Sequence, residues 1–188
     1  MYDQYDALIF DMDGTILDSE PTHRKAWHQV LGRYGLTLDE SQMVSFNGAP
    51  TWRLAQFIIE TNHSSLDPHL LAAEKTTAVK AMLLENVKPL PLMEVVKAYH
   101  GRRPMAVGTG SEHSMADALL SQLGVRELFT AVVGADDVER HKPEPDTFLR
   151  CAALMGVDPA RCVVFEDADF GVQAARAAGM DVVDVRLL

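Results

Sequence analysis

The chain has 188 residues, enough for one ordinary domain or for a compact core that carries a smaller insertion. Hydrophobic residues make up 47% and charged residues 23%, a balance that excludes a disordered or fibrous chain. A formal net charge of -10 argues against nucleic acid or an anionic membrane surface as the main partner, since both require a surplus of Lys and Arg.

The N-terminus lacks a basic segment followed by a long apolar run, and no later stretch approaches the length of a membrane span, so a cytoplasmic protein is expected. Ala7-Leu8-Ile9-Phe10 is a short apolar run that suits a buried parallel strand delivering Asp11 at its C-terminal end. From about residue 19 to residue 86 the pattern is helical and holds no convincing strand. Helices are expected over His23 to Arg33, Thr51 to Asn62 and Pro68 to Leu84, with Ser19 and Asp67 as N-caps and Pro21 and Pro68 in first turns. Asp18-Ser19 marks an outward crossing, and Pro89 and Pro91 mark the return.

Beyond that point strand and helix alternate. The run Met105-Ala106-Val107-Gly108 ends at Thr109, and a helix is expected from Glu112 to Leu123. Ala131-Val132-Val133-Gly134 ends near Asp136 and is followed by a helix from Pro145 to Met155. Cys162-Val163-Val164-Phe165 ends at Glu166-Asp167, and the last helix, Phe170 to Ala178, stops at Gly179. The expected fold is therefore α/β: a doubly wound, Rossmann-like parallel sheet formed by residues 1–17 and 87–188, with residues 18–86 inserted as a helical cap. Sheets of this kind gather their chemistry at the strand C-termini. Cys151 and Cys162 sit in no CxxC or metal-ligand spacing and read as core thiols.

The strongest local signal is Asp11-Met12-Asp13-Gly14-Thr15. Two carboxylates two residues apart at a strand end face the same way, and Gly14 lets the chain turn aside at once. Such a pair invites a hard cation, or a division of labour in which one acid is ionised while the other holds a proton. A polar turn after a strand is the competing reading. Three further segments weigh against it. Val107-Gly108-Thr109-Gly110-Ser111 offers a hydroxyl and free backbone N–H groups at a strand-to-helix junction, a natural phosphate cradle. Lys142 lies in a loop stiffened by Pro143 and Pro145 and supplies a fixed positive charge. Glu166-Asp167-Ala168-Asp169 brings enough acids to complete an oxygen-rich magnesium site with Asp11.

In this order and context the four segments resemble the four motifs of the haloacid dehalogenase superfamily of phosphatases, and the resemblance covers essentially the whole chain. The helical character of residues 19 to 86 resembles the small cap of the β-phosphoglucomutase-like branch, and the stretches Glu20 to Trp27, Gly101 to Ser111 and Phe165 to Gly171 are similar to sugar phosphatases within it. The resemblance implies a Mg2+-dependent hydrolase in which Asp11 attacks phosphorus to give an aspartyl-phosphate and Asp13 acts as general acid and base. It further implies that Asp11, Asp13 through its backbone carbonyl, Asp167 and Glu166 hold the metal, with Glu166 direct or through water. Thr109, Gly110, Ser111 and Lys142 bind the phosphoryl oxygens.

His23, Asn47, Arg53 and Lys75 are the cap residues expected to meet substrate, with Thr51 and Trp52 as further polar or aromatic candidates. Trp27, Trp52 and Phe57 read as cap core. The expected partner is a small phosphorylated metabolite such as fructose 1-phosphate or 6-phosphogluconate, handled by a monomer. A phosphomutase of the same branch needs an arginine shortly after a cap glycine. Here Gly48 is followed by Ala49-Pro50-Thr51 and the nearest arginine is Arg53, which disfavours it. A non-catalytic phosphoacceptor is the alternative from another class, and it has no use for Asp13.

Overall fold

A computed structural model describes residues 2–47 and 49–188. Strand β1 (Ala7–Phe10) is followed by a short β2 (Leu17–Asp18) and then by helices α1 (Glu20–Tyr34), α2 (Glu40–Met43), α3 (Thr51–Thr61) and α4 (Pro68–Asn86). The chain returns through β3 (Lys88–Pro89) and continues α5 (Met93–Tyr99), β4 (Met105–Gly108), α6 (His113–Gln122), β5 (Ala131–Val133), α7 (Asp146–Met155), β6 (Cys162–Glu166), α8 (Asp169–Ala177) and β7 (Asp181–Asp184).

Five strands form one parallel sheet in the order β5-β4-β1-β6-β7. From β1 the chain winds outward through β4 and β5, then crosses back to build β6 and β7 on the other side. The direction of winding thus reverses beside β1, and the crevice above that reversal is where open α/β sheets receive ligands. Because alternate strand residues face opposite ways, Leu8, Phe10, Val107, Val132 and Phe165 pack with Met93, Val96 and Leu119 on one face. Ala7, Ile9, Ala106, Val133 and Val164 pack with Phe148, Cys151, Ala174 and Ala175 on the other. Each fully buried Val, Leu, Ile or Phe contributes about 1.5–3 kcal/mol relative to exposure, so β1, with all four residues buried, is firmly held. Both cysteines are buried free thiols, as expected.

Helices α1, α3 and α4 share a separate apolar cluster built on Trp27, Leu31, Leu54, Ile58 and Leu71, with Trp52 and Phe57 at its margin. Asp67 caps α4 through the N–H of His69, with Pro68 in the first turn. At α1 the expected cap is not made: the Ser19 side chain bonds no helix N–H and turns instead to Asp13. The C-terminal half of α4 is rooted in the sheet's own core through Val79 and Leu83. The crossings themselves pair as an antiparallel ribbon, Leu17 opposite Pro89 and Asp18 opposite Lys88. Strand β7, helix α5 and this ribbon have no counterpart in the sequence reading. Asp181-Val182-Val183-Asp184 is a two-residue apolar step between acids, and it becomes a strand because β6 offers it an edge.

Candidate active site

The C-terminal ends of β1, β4 and β6 deliver Asp11, Thr109 and Asp167 to one cavity of about 110 Å³, closed above by residues of the helical insertion. Asp11, Asp13, Gly14, Thr109, Gly110, Ser111 and Asp167 form its floor, and Glu20, His23, Trp27, Asn47, Thr51 and Lys75 line its upper walls. Of the expected site residues, Asp11, Asp13, Thr109, Gly110, Ser111, Asp167, His23, Asn47 and Lys75 therefore meet around one space. Gly48, on which the comparison with a phosphomutase turns, lies outside the described residues.

Lys142 is buried below that floor rather than solvated. Its ammonium donates to Asp11 Oδ1 at 2.6 Å and to Glu166 Oε2 at 2.8 Å. Burial opposes its charge, but the two carboxylates more than compensate and hold its pKa above the ordinary lysine value. Glu166 spends its other oxygen on the N–H groups of Asp167 and Ala168, at 3.0 and 2.9 Å. This carboxylate thereby fixes the turn that leads into α8. With both oxygens committed, Glu166 does not line the cavity, and Asp11, Asp13 and Asp167 are the acids of its floor.

Asp11, Glu166 and Asp167 nevertheless bring carboxylate oxygens within 4.8 Å of one another. Burial and the charge of Glu166 push the Asp11 carboxyl well up, against the pull of Lys142. The same two causes raise Asp167 to about 7. Three carboxylates sharing one lysine leave the site a cation short, and the missing charge belongs among hard oxygen donors. The residues present fit Mg2+ on that ground. Two glycine features make the crowding possible: at Gly14, with φ 82°, a Cβ would lie 2.4 Å from Asp167 Oδ2, and Thr15 Oγ1 donates to Asp167 Oδ1 at 3.0 Å. At Gly171 a Cβ would lie 1.8 Å from Glu166 Oε2.

Asp13 receives hydrogen bonds from the Ser19 hydroxyl and, at 2.9 Å, from Ser111 Oγ. Burial pushes its pKa up, yet His23 and the two hydroxyls outweigh it and hold the carboxyl below its usual range. The Lys75 ammonium donates to His23 Nδ1, so the ring proton lies on Nε2. That atom faces Asp13 Oδ1 at 3.4 Å without hydrogen-bond geometry and is a buried donor with no partner among the described residues. Burial and the neighbouring Lys75 keep the ring neutral against the influence of Asp13.

Two expectations need correction. The Ser111 N–H is not free in this structure, because it donates to Thr109 Oγ1 at 3.1 Å. Arg53 does not line the cavity: its Nη1 donates to the Lys142 carbonyl at 3.4 Å and its guanidinium lies 5.7 Å from the Trp52 ring. An arginine on the first turn of α3 reaches sideways to the loop after β5, not inward. Sequence reasoning also passed over Ser19, Thr15 and Glu20. Ser19 was read there only as a helix cap; the meeting of β1 with β6 brings Thr15 to Asp167, while Ser19 bonds Asp13 and Glu20 stands in the cavity wall.

Comparison with known proteins agrees with this architecture. A family model described as haloacid dehalogenase-like hydrolase matches residues 5–179. The chain is 69% identical, over all of both sequences, to a protein of Escherichia coli K12 named fructose-1-phosphate phosphatase YqaB. It is 28% identical to β-phosphoglucomutase of Bacillus subtilis, across 95% of this chain and 82% of that one. Among solved structures it superposes on β-phosphoglucomutase from Clostridium difficile with a TM-score of 0.83 at 25% identity, covering 95% of this chain and 83% of that one. Among the described residues no helix is long and apolar enough to cross a membrane.

Proposed function

This chain belongs to the haloacid dehalogenase-like hydrolases, and on that premise we propose that it hydrolyses small sugar phosphates, fructose 1-phosphate first among them, through an aspartyl-phosphate on Asp11. Residues 18–86 act as the cap that closes over the strand ends, and residues 1–17 and 87–188 as the catalytic core. The observation that carries the reading is the convergence of Asp11, Asp13, Ser111 and Asp167 on one cavity, with Lys142 bonded to Asp11 beneath it.

In the first step an oxygen of Asp11 attacks phosphorus, the bond to the sugar oxygen breaks, and Asp13 gives that oxygen a proton. In the second, Asp13 takes a proton from water, the hydroxide attacks phosphorus, and the Asp11 carboxylate is released with inorganic phosphate. Asp13 is ionised in the state described, which suits the water step. A phosphate dianion entering beside it makes that charge costlier and favours the protonated acid needed first. Lys142, the Thr109 hydroxyl and the Gly110 N–H neutralise the phosphoryl oxygens, where charge must be stabilised in phosphoryl transfer. Ser111 Oγ orients Asp13, and its N–H becomes available if Thr109 turns toward the phosphate. Mg2+ would be held by Asp11, Asp167 and the Asp13 backbone carbonyl, with Glu166 acting behind them, and would supply electrostatic stabilisation of the transferring group.

The substrate's sugar meets His23, Asn47 and Lys75, and the unpartnered His23 Nε2 proton is available to Asp13 or to the leaving oxygen. A phosphomutase needs a second anchor for a non-transferring phosphate. Among the described residues lining the cavity Lys75 is the one lysine or arginine, and His23 occupies it. Phosphate release from fructose 1-phosphate with Mg2+, lost in Asp11→Asn, is the expected result. Turnover of β-glucose 1-phosphate to glucose 6-phosphate without phosphate release would replace hydrolase by mutase.

A further inference from the structure

Between the helices of the insertion, residues 20–86, and the loops at the sheet's C-terminal edge, direct polar contacts are few. Among the described residues the hydrogen bonds that cross this boundary come down to one, Arg53 Nη1 to the carbonyl of Lys142 at 3.4 Å, beside the approach of the neutral His23 ring to Asp13, also at 3.4 Å. The acceptor is the main chain of the very residue whose ammonium is buried between Asp11 and Glu166. The donor is steadied from its own side: Arg53 lies over the Trp52 ring at 5.7 Å, and that ring lies tilted against His69 of α4, with centroids 5.5 Å apart and 31° between the planes. Pro143 follows Lys142 and brings no N–H to the next peptide, so this carbonyl projects from a segment with one fewer donor to tie it down.

We propose that Arg53 is a positioning residue for Lys142, clamping α3 of the insertion to the catalytic lysine's own peptide so that closure over substrate and correct placement of the ammonium occur together. The proposal rests on the hydrolase reading above and assigns to Arg53 a role that is neither substrate binding nor general packing. Its physical logic is preorganisation. Lys142 neutralises charge that develops at phosphorus, and a displacement of its main chain costs transition-state stabilisation while leaving ground-state contacts of the sugar untouched. An open insertion releases the carbonyl, so the lysine is held best when water is excluded.

The test is steady-state kinetics on fructose 1-phosphate with Arg53→Ala, Arg53→Gln and Arg53→Lys, together with hydrogen–deuterium exchange of the peptides spanning residues 139–147. Arg53→Ala should lower kcat about tenfold with KM changed less than about twofold, and Arg53→Lys, which keeps a donor, should recover most of the loss. Exchange in 139–147 should quicken in Arg53→Ala and Arg53→Gln and stay near wild type in Arg53→Lys. A raised KM with unchanged kcat would make Arg53 a ligand contact and overturn the proposal, as would kinetics and exchange indistinguishable from wild type. If the wild type releases no phosphate, the hydrolase reading fails, and the exchange experiment still decides whether the clamp exists.

Discussion

The ammonium of Lys75 donates to Nδ1 of His23, and this contact decides which face of the imidazole carries its proton. The ring then presents Nε2–H toward Asp13, so a lysine from α4 reaches the proposed proton-transfer group through a histidine from α1. Because the two act as one unit, their losses should not add. His23→Ala and Lys75→Met are each expected to lower kcat about 10- to 100-fold, with the double variant little worse than the poorer single one. Phosphate release measured across the double-mutant cycle checks this, and multiplicative losses would separate the residues.

Lys75 also carries a stability cost. Burial pulls its pKa from 10.5 down to about 8, with Asp13 opposing. Between those values the unfolded chain holds a proton that the folded chain has lost, so stability rises with pH across that window, and below about 8 the cost is present in full. Lys75→Met should therefore melt above wild type at pH 7, and its advantage should shrink toward pH 10.5. Thermal melts of the two proteins over this range are sufficient, and a constant difference would contradict the sign.

Asp167, raised to about 7 by burial and by Glu166, is the proposed Mg2+ ligand that must lose its proton to bind a cation. Below that pH a proton competes, and the Mg2+ concentration for half-maximal activity should climb about tenfold per pH unit. Added Mg2+ should raise the melting temperature at pH 8 and do so less at pH 6. Asp167→Asn should abolish the Mg2+ effect without lowering the metal-free melting temperature, since it removes one of three crowded carboxylates.

Gly171 offers a test of geometry that leaves chemistry alone. A Cβ there meets Glu166 Oε2 at 1.8 Å and must displace the carboxylate that holds Lys142. Gly171→Ala should lower kcat at least ~10-fold and cost about 1–3 kcal/mol of stability. Gly156→Ala is the control: with φ 68° and open space around it, it should cost stability through backbone strain but leave kcat unchanged.

Much of this was legible in the order of residues because the candidate floor is assembled from short local motifs at strand ends. Asp11 and Asp13 announce themselves by spacing, and each acid or hydroxyl of the other motifs ends a short apolar run that can only be a buried strand. The parallel sheet follows from the alternation of strand and helix, and its order places those ends together. Contacts that depend on how the inserted helices sit were not legible. Nothing in the pattern around Arg53 distinguishes a side chain aimed into the cavity from one aimed at Lys142, and the pairing of Lys75 with His23 joins positions 52 residues apart. The burial of Lys142 was hidden for a different reason: its two partners, Asp11 just after β1 and Glu166 at the end of β6, are brought to it by the order of strands in the sheet.

The ribbon of Leu17–Asp18 against Lys88–Pro89 brings the two points where the chain leaves and re-enters the sheet domain side by side. Everything between them is, in topological terms, a cassette: a segment of another length could be spliced onto the same two stubs without altering the course of any strand below. Its replacement would have to carry apolar groups where Ala26, Val79 and Leu83 now anchor it. Divergence in what such enzymes accept can then proceed by exchange of the roof, while the hydrolytic machinery underneath is inherited intact.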